Sequence, residues 1–296
     1  MKRVVLLLVV LVLAAGTWWL QRFVQRSGLE LERVLLEEQL SGLERRRQAV
    51  WGRYDEKGFE RLGRPQPGEW LARSPEQGQT LEEYVKGCAN RRREGREAIV
   101  LRPLGPLSPR ARAALDPVRR FTEAYFASPV RLLDEAPLPD AAYSKERGQH
   151  DVTPLLVHLK SEVKEDELIR AGIADRDLSW TALVPNFVFG GASIDQRVGV
   201  YSLARFAAGD PSEKLYRTRA FKLLAHELGH VLSLAHCIYY RCVMNGVNSL
   251  VESDAAPLRP CPVCFEKLRW NLGLDPDARA RALAKFYADE QLDEKP

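Results

Sequence analysis

Residues 226–246 read HELGHVLSLAHCIYYRCVMNG, and the organisation of the whole chain can be worked outward from them. Three of the chain's five histidines and two of its five cysteines fall inside this stretch. His226 and His230 are four residues apart, so on a helix they share one face, about 6 Å apart along the axis. Two imidazoles so placed can bind one zinc ion, and Glu227 projects beside that ion, where a general base belongs. His236 reaches the same ion only if the helix ends soon after His230 and the chain turns. Three neutral nitrogens leave a fourth zinc position open for water, whose pKa falls to about 7. Glu227 is then expected to act as base on that water. His150 and His158 lie far upstream with no matching partners and read as ordinary surface or satisfied histidines.

The cysteines form a second constellation. Cys237, Cys242, Cys261 and Cys264 fall within a short window, and CPVC at 261–264 has the shape of a zinc knuckle. Four thiolates make a closed tetrahedral site that holds structure and does no chemistry. Two disulfides compete with that reading if the domain faces an oxidising compartment. Cys88 lies outside the window and reads as a free thiol.

HELGHVLSLAH resembles the long metzincin motif, in which a third His follows the HExxH pair and a Met lies beneath the metal. Met244, one of only two methionines, stands where that Met would be. With Cys237 directly after the third His, then Cys242 and CPVC, the pattern resembles the archaemetzincin family. DLSWTALVPNFVFGGA and VGVYSLARF are also similar to stretches of that family, so the resemblance covers residues 96–290. It implies a zinc metallopeptidase of α/β (α+β) class, with a mixed β-sheet and an active-site helix. It also implies two zinc ions per chain: a catalytic one on His226, His230 and His236, and a structural one on Cys237, Cys242, Cys261 and Cys264. Met244 would support the catalytic ion. Substrate would lie as an extended strand along a sheet edge, for which NFVFGGASI and VGVYSLARF are candidates. One residue departs from the family. Ser233 stands where the family has Gly, at a turn whose left-handed backbone costs a non-Gly residue about 1 kcal/mol or more.

The amino terminus has a different composition. MKR precedes an uncharged apolar run from Val4 to Leu20, followed by QRFVQR. This is the pattern of a secretory signal or signal anchor, at the lower length limit of a membrane span. Trp18, Trp19 and Phe23 suit an interfacial aromatic belt, which favours an anchor. Ala14 and Gly16 would suit cleavage and secretion. The flanking positive charges are balanced and leave orientation open; the domain is expected on the extracytoplasmic side.

Residues 1–25 are therefore read as anchor or signal, 26–95 as helical stalk and linker, and 96–296 as the peptidase domain. Within the stalk, Leu29, Leu36, Leu43 and Val50 give residues 28–51 an amphipathic helical pattern. Residues 52–95, rich in Gly, Pro, Glu and Arg, read as linker with one short helix near Leu81–Cys88. Asp116 and Pro117 read as the start of a helix. A helix from Pro276 to Leu292 closes the chain. A net charge of +4 on 296 residues is too weak for a nucleic-acid binder, and RRREGR at 91–96 reads as a solvated boundary. The expected partners are a peptide or protein substrate and a membrane. Two rivals use the same residues: a non-cleaving metzincin-like scaffold that binds peptide or a partner, and a tethered adaptor in which both ions are structural.

Overall fold

The structure is a computed structural model and describes residues 30–31, 34–181 and 187–294. The apolar segment Val4–Leu20 lies outside the described residues; among these, no helix is long and apolar enough to cross a membrane. The chain divides into two compact units, Met1–Ala49 and Val50–Pro296. In the first, a helix runs over 34–48 within the range expected from its leucine spacing.

The second unit is built on a five-stranded sheet of order β2-β1-β5-β9-β8. Its strands are β1 (Ala98–Leu104), β2 (Val130–Leu132), β5 (Glu167–Ala174), β8 (Gly190–Ser193) and β9 (Val198–Ser202). Neighbours are parallel except at the edge, where β8 runs antiparallel to β9. Every residue of β5 is buried, the pattern of a central parallel strand with both faces covered. A smaller four-stranded sheet joins β3 (Tyr143–Ser144), β4 (Gln149–Asp151), β6 (Leu178–Ser179) and β7 (Phe187–Val188).

Three further helices, α3 (Pro109–Phe126), α5 (Glu213–Val231) and α8 (Pro276–Asp289), meet through Phe121, Phe221 and Phe286, whose ring centroids lie 5.0–5.6 Å apart. Against the sheet, α4 (Val152–Ser161) packs Leu155 and Leu159 on Leu104, Val198 and Val200. The start of α3 differs from the expectation. Its N-cap is Ser108, whose side chain accepts the Ala111 amide, with Pro109 in the first turn, and Pro117 sits inside the helix. Asp116 instead takes hydrogen bonds from Arg119 and Arg120 one turn on. Two proline-led starts compete here, and the earlier one also brings Ala111, Ala114 and Leu115 into the core.

The stretch from Val50 to Gly95 is not a free linker, because it belongs to the same compact unit as the sheet. It carries α1 (Trp70–Arg73) and α2 (Leu81–Gly87), the latter started by a complete capping box between Thr80 and Glu83. Its attachment is specific. The Leu62 amide donates to the Tyr239 carbonyl, and the buried Tyr84 hydroxyl donates to the Leu232 carbonyl. The arginine run is likewise tied down: Arg91 stacks over Trp270, and Arg92 reaches the carbonyls of Ala127 and Leu272. Between the third histidine and α8 lie α6 (Leu250–Ala255) and α7 (Pro262–Leu272).

Candidate metal centre

Helix α5 begins at Ser212, whose side chain accepts the Leu215 amide, and places His226 and His230 in its last two turns. It ends in a Schellman motif: Ser233 N–H donates to the His230 carbonyl and Leu234 N–H to the Gly229 carbonyl. Ser233 holds the left-handed position of that motif, with φ of 73°. The turn thus takes the shape the motif demands, with Ser in the place of Gly. Its side chain explains how. Ser233 Oγ accepts the backbone amides of Ala89 and Asn90 at 3.1 and 3.3 Å.

The chain then returns, and His236 joins the pair. The ligating atoms of His226, His230 and His236 all lie within 4.8 Å of one another. Each ring is oriented through Nδ1. His226 Nδ1 lies 2.8 Å from the Val243 carbonyl, and His230 Nδ1 lies 2.7 Å from the Leu234 carbonyl. His236 Nδ1 lies 2.7 Å from Glu76 Oε1. Carbonyl and carboxylate oxygens only accept, so the Nδ1 atoms carry the protons and the Nε2 lone pairs are free. The Nε2 atoms of His226 and His230 then face each other at 3.0 Å with no proton to share. Two zinc–nitrogen bonds of about 2.0–2.1 Å at a tetrahedral angle would hold such atoms ~3.3 Å apart, so the pair fits a zinc ion. Burial lowers the pKa of both imidazoles, that of His230 to about 4, which keeps them neutral as ligation requires.

Glu227 lines the cleft beside these rings, with Trp70, Phe189, Leu223 and Val243, in a cavity of about 410 Å³. Burial raises its pKa to about 7. Met244 is buried against Gly229 of α5. A Cβ at Gly229 would lie 2.6 Å from its Sδ, so the Gly in the motif leaves room for the Met. Asn245 locks the turn that carries Met244, accepting the Cys242 amide and donating to the carbonyls of Cys237 and Tyr240.

The second cluster is contiguous with the first. Cys237, Cys242, Cys261 and Cys264 are buried free thiols, with sulfurs within 4.8 Å of one another. Cys242 Sγ accepts the amides of Met244 and Cys261 at 3.4 and 3.1 Å, as thiolate ligands do. Cys237 and Cys261 sulfurs are 3.5 Å apart, against ~3.8 Å for two sulfurs of a tetrahedral zinc site. Burial raises the thiols of Cys242 and Cys261, so four thiolates need a cation to coexist. The Cys237 amide donates to the Met244 carbonyl, tying the two clusters through one backbone bond.

The family model for peptidase family M54 matches residues 116–270, just over half of the chain. This chain belongs to that family. Archaemetzincin-2 from Homo sapiens is 28% identical over 271 residues, covering 77% of this chain and 74% of its own length. Archaemetzincin from Methanopyrus kandleri is 42% identical over 137 residues, 46% of this chain and 75% of that protein. The crystal structure of the Methanopyrus kandleri archaemetzincin superposes with a TM-score of 0.53 at 34% identity, covering 62% of this chain and 99% of that one. That of the Archaeoglobus fulgidus archaemetzincin, complexed with malonate, gives 0.50 at 29% identity, covering 57% and 99%. The chain is a zinc metallopeptidase of archaemetzincin type, with a mixed α/β fold.

The seven expected histidine and cysteine ligands form these two groups, and Glu227 lines the cleft beside the histidines; His150 and His158 belong to neither group. Cys88 is half-buried beside Asn271. Of the two edge candidates, NFVFGGASI contributes the edge strand β8, whereas VGVYSLARF contributes β9, one strand in. The residue that sequence reasoning missed is Glu76.

Proposed function

We propose that this chain hydrolyses peptide bonds in a reaction in which Glu227 serves as general base, with His226, His230 and His236 holding a catalytic zinc. When bound, zinc supplies a Lewis acid for the scissile carbonyl and an acidified water. The chain's own groups do the rest. Glu227, poised near neutrality, takes a proton from the attacking water and returns it to the leaving amine. β8, the edge strand of the sheet among the described residues, offers its outer edge to an extended substrate backbone beside the cleft. Cys237, Cys242, Cys261 and Cys264 hold a second, structural zinc that fixes the loop carrying His236 and Met244. Val4–Leu20 anchors the protein in a membrane, with the peptidase unit on the extracytoplasmic side.

The observation that carries this reading is the convergence of three Nδ1-tethered imidazoles beside a carboxyl whose pKa is near 7. Metal analysis of the full chain is expected to give two zinc ions, one readily chelated. Glu227→Gln is expected to lower kcat on a peptide library by at least about a hundredfold while retaining both ions. Unchanged cleavage would remove Glu227 from the mechanism, and a wild type that binds but never cuts peptides would favour the scaffold reading.

A further inference from the structure

The residues that tether two of the three imidazoles come from within the motif region itself: Val243 and Leu234 supply backbone carbonyls. The third comes from 160 positions upstream, outside the stretch that the family model matches. We infer that Glu76 is a positioning residue for the catalytic zinc, the carboxylate that orients His236 and strengthens its nitrogen as a ligand. This rests on the assignment of His236 as a ligand.

The segment around Glu76 is built for that position. Trp70 Nε1 donates to Glu76 Oε1 at 3.0 Å, so the oxygen that meets His236 is held from two sides. The Trp70 ring stands edge-on to His236, with centroids 5.4 Å apart. It also lies against the backbone two residues after Met244, where a Cβ at Gly246 would come within 2.3 Å of the indole. The Trp70 amide is in turn held by Glu252 of α6 at 3.1 Å. Downstream, Gln79 bridges the turn that delivers the histidine, donating to the Ser233 carbonyl and accepting the Ala235 amide. Lys267 of α7 donates to the Gln79 carbonyl. The loop from Ser233 to His236 is thus held along its length by residues 70–90.

The electrostatics agree with a role at a cation. Glu76 is about half-buried, and its second oxygen, Oε2, is buried with no hydrogen-bond partner among the described residues. A carboxylate left so under-satisfied is costly unless positive charge lies close by. A zinc ion held by His226, His230 and His236 would supply that charge. A carboxylate partner of this kind holds the ring angle and raises ligand basicity, and its loss typically weakens metal binding 10–100-fold.

The test measures zinc affinity by chelator competition in the full-length protein, for wild type, Glu76→Ala, Glu76→Gln and His236→Ala. His236→Ala identifies which of the two release events belongs to the histidine site. Glu76→Ala is expected to weaken that site by about 10–100-fold and leave the cysteine site unchanged. Glu76→Gln, which keeps an acceptor oxygen but not the charge, is expected to fall between the two and so report partial rescue. The inference is overturned if Glu76→Ala lowers only thermal stability and leaves zinc affinity at the wild-type value while His236→Ala abolishes the site. If His236→Ala also binds like wild type, the ligand assignment itself is at fault.

Discussion

Ser233→Gly should destabilise this protein, although it restores the residue that a left-handed turn prefers. Two opposed contributions set the size. Relief of the φ of 73° favours the variant by about 1 kcal/mol. Against this, the variant deletes Oγ, the acceptor for the amides of Ala89 and Asn90. Asn90 is buried, and leaving its amide without a partner costs about 1–3 kcal/mol; the more exposed Ala89 amide adds about 0.5–1 kcal/mol. The loss wins, and the net effect is about 0.5–3 kcal/mol. Ser233→Ala loses the same acceptor and keeps the strained Cβ, so it should fall about 1 kcal/mol below Ser233→Gly. Equilibrium urea unfolding of the three proteins, at one fixed free zinc concentration so that ligand linkage is constant, reads both differences. Amide hydrogen exchange at Asn90 should accelerate in both variants. A Ser233→Gly protein as stable as wild type or more so would refute the reasoning, since the strain would then outweigh the two hydrogen bonds.

Two further outcomes follow from the same geometry. In the metal-free protein, Glu227 has a folded pKa raised to about 7 from 4.5, so its neutral form stabilises the fold at low pH and that contribution is lost as pH rises between the two values. His230, lowered to about 4 from 6.5, acts in the opposite sense and adds stability as pH rises between those two values. Each amounts to about 3 kcal/mol and they largely cancel, so Glu227→Gln should make metal-free stability climb more steeply from pH 4.5 to 7 than wild type, as urea midpoints across pH would report. At the floor of the site, Gly229→Ala forces a Cβ onto Met244 Sδ. A double-mutant cycle with Met244→Ala should therefore show a coupling energy of about 1–3 kcal/mol, and a value near zero would mean that Met244 has room to move.

The parts of this molecule that were legible in the sequence are those whose partners are close along the chain. His226, His230 and Glu227 share one helix, His236 follows within a turn, and the cysteines sit in a short window, so spacing alone brings them together. The start of α3 was misplaced because Asp116–Pro117 and Ser108–Pro109 both carry the chemistry of a helix start, and only packing of the preceding two turns chooses between them. Composition misled over residues 52–95, where Gly, Pro and charged residues suggested a linker. The capping box of Thr80 and Glu83 was the one local sign of an ordered, docked segment, and it says nothing of where that segment docks.

Glu76 and Ser233 were opaque for a related reason, and together they make sense of the departure from the family pattern. A Ser in a left-handed turn is a defect when judged from its own neighbours. It becomes favourable only when the amides of Ala89 and Asn90 arrive at its hydroxyl, from more than 140 positions away. The same upstream segment then supplies Gln79 to the turn and Glu76 to the third imidazole. The turn residue and the upstream segment are therefore best understood as one adaptation. Replacing Ser233 by Gly without the segment's hydrogen bonds, or removing Glu76 while Ser233 stays, should each loosen His236, and the two changes should be non-additive because they act on the same loop, Ser233 to His236. Zinc affinities of the two single variants and the double variant that simply add would separate them and leave the Ser an isolated substitution.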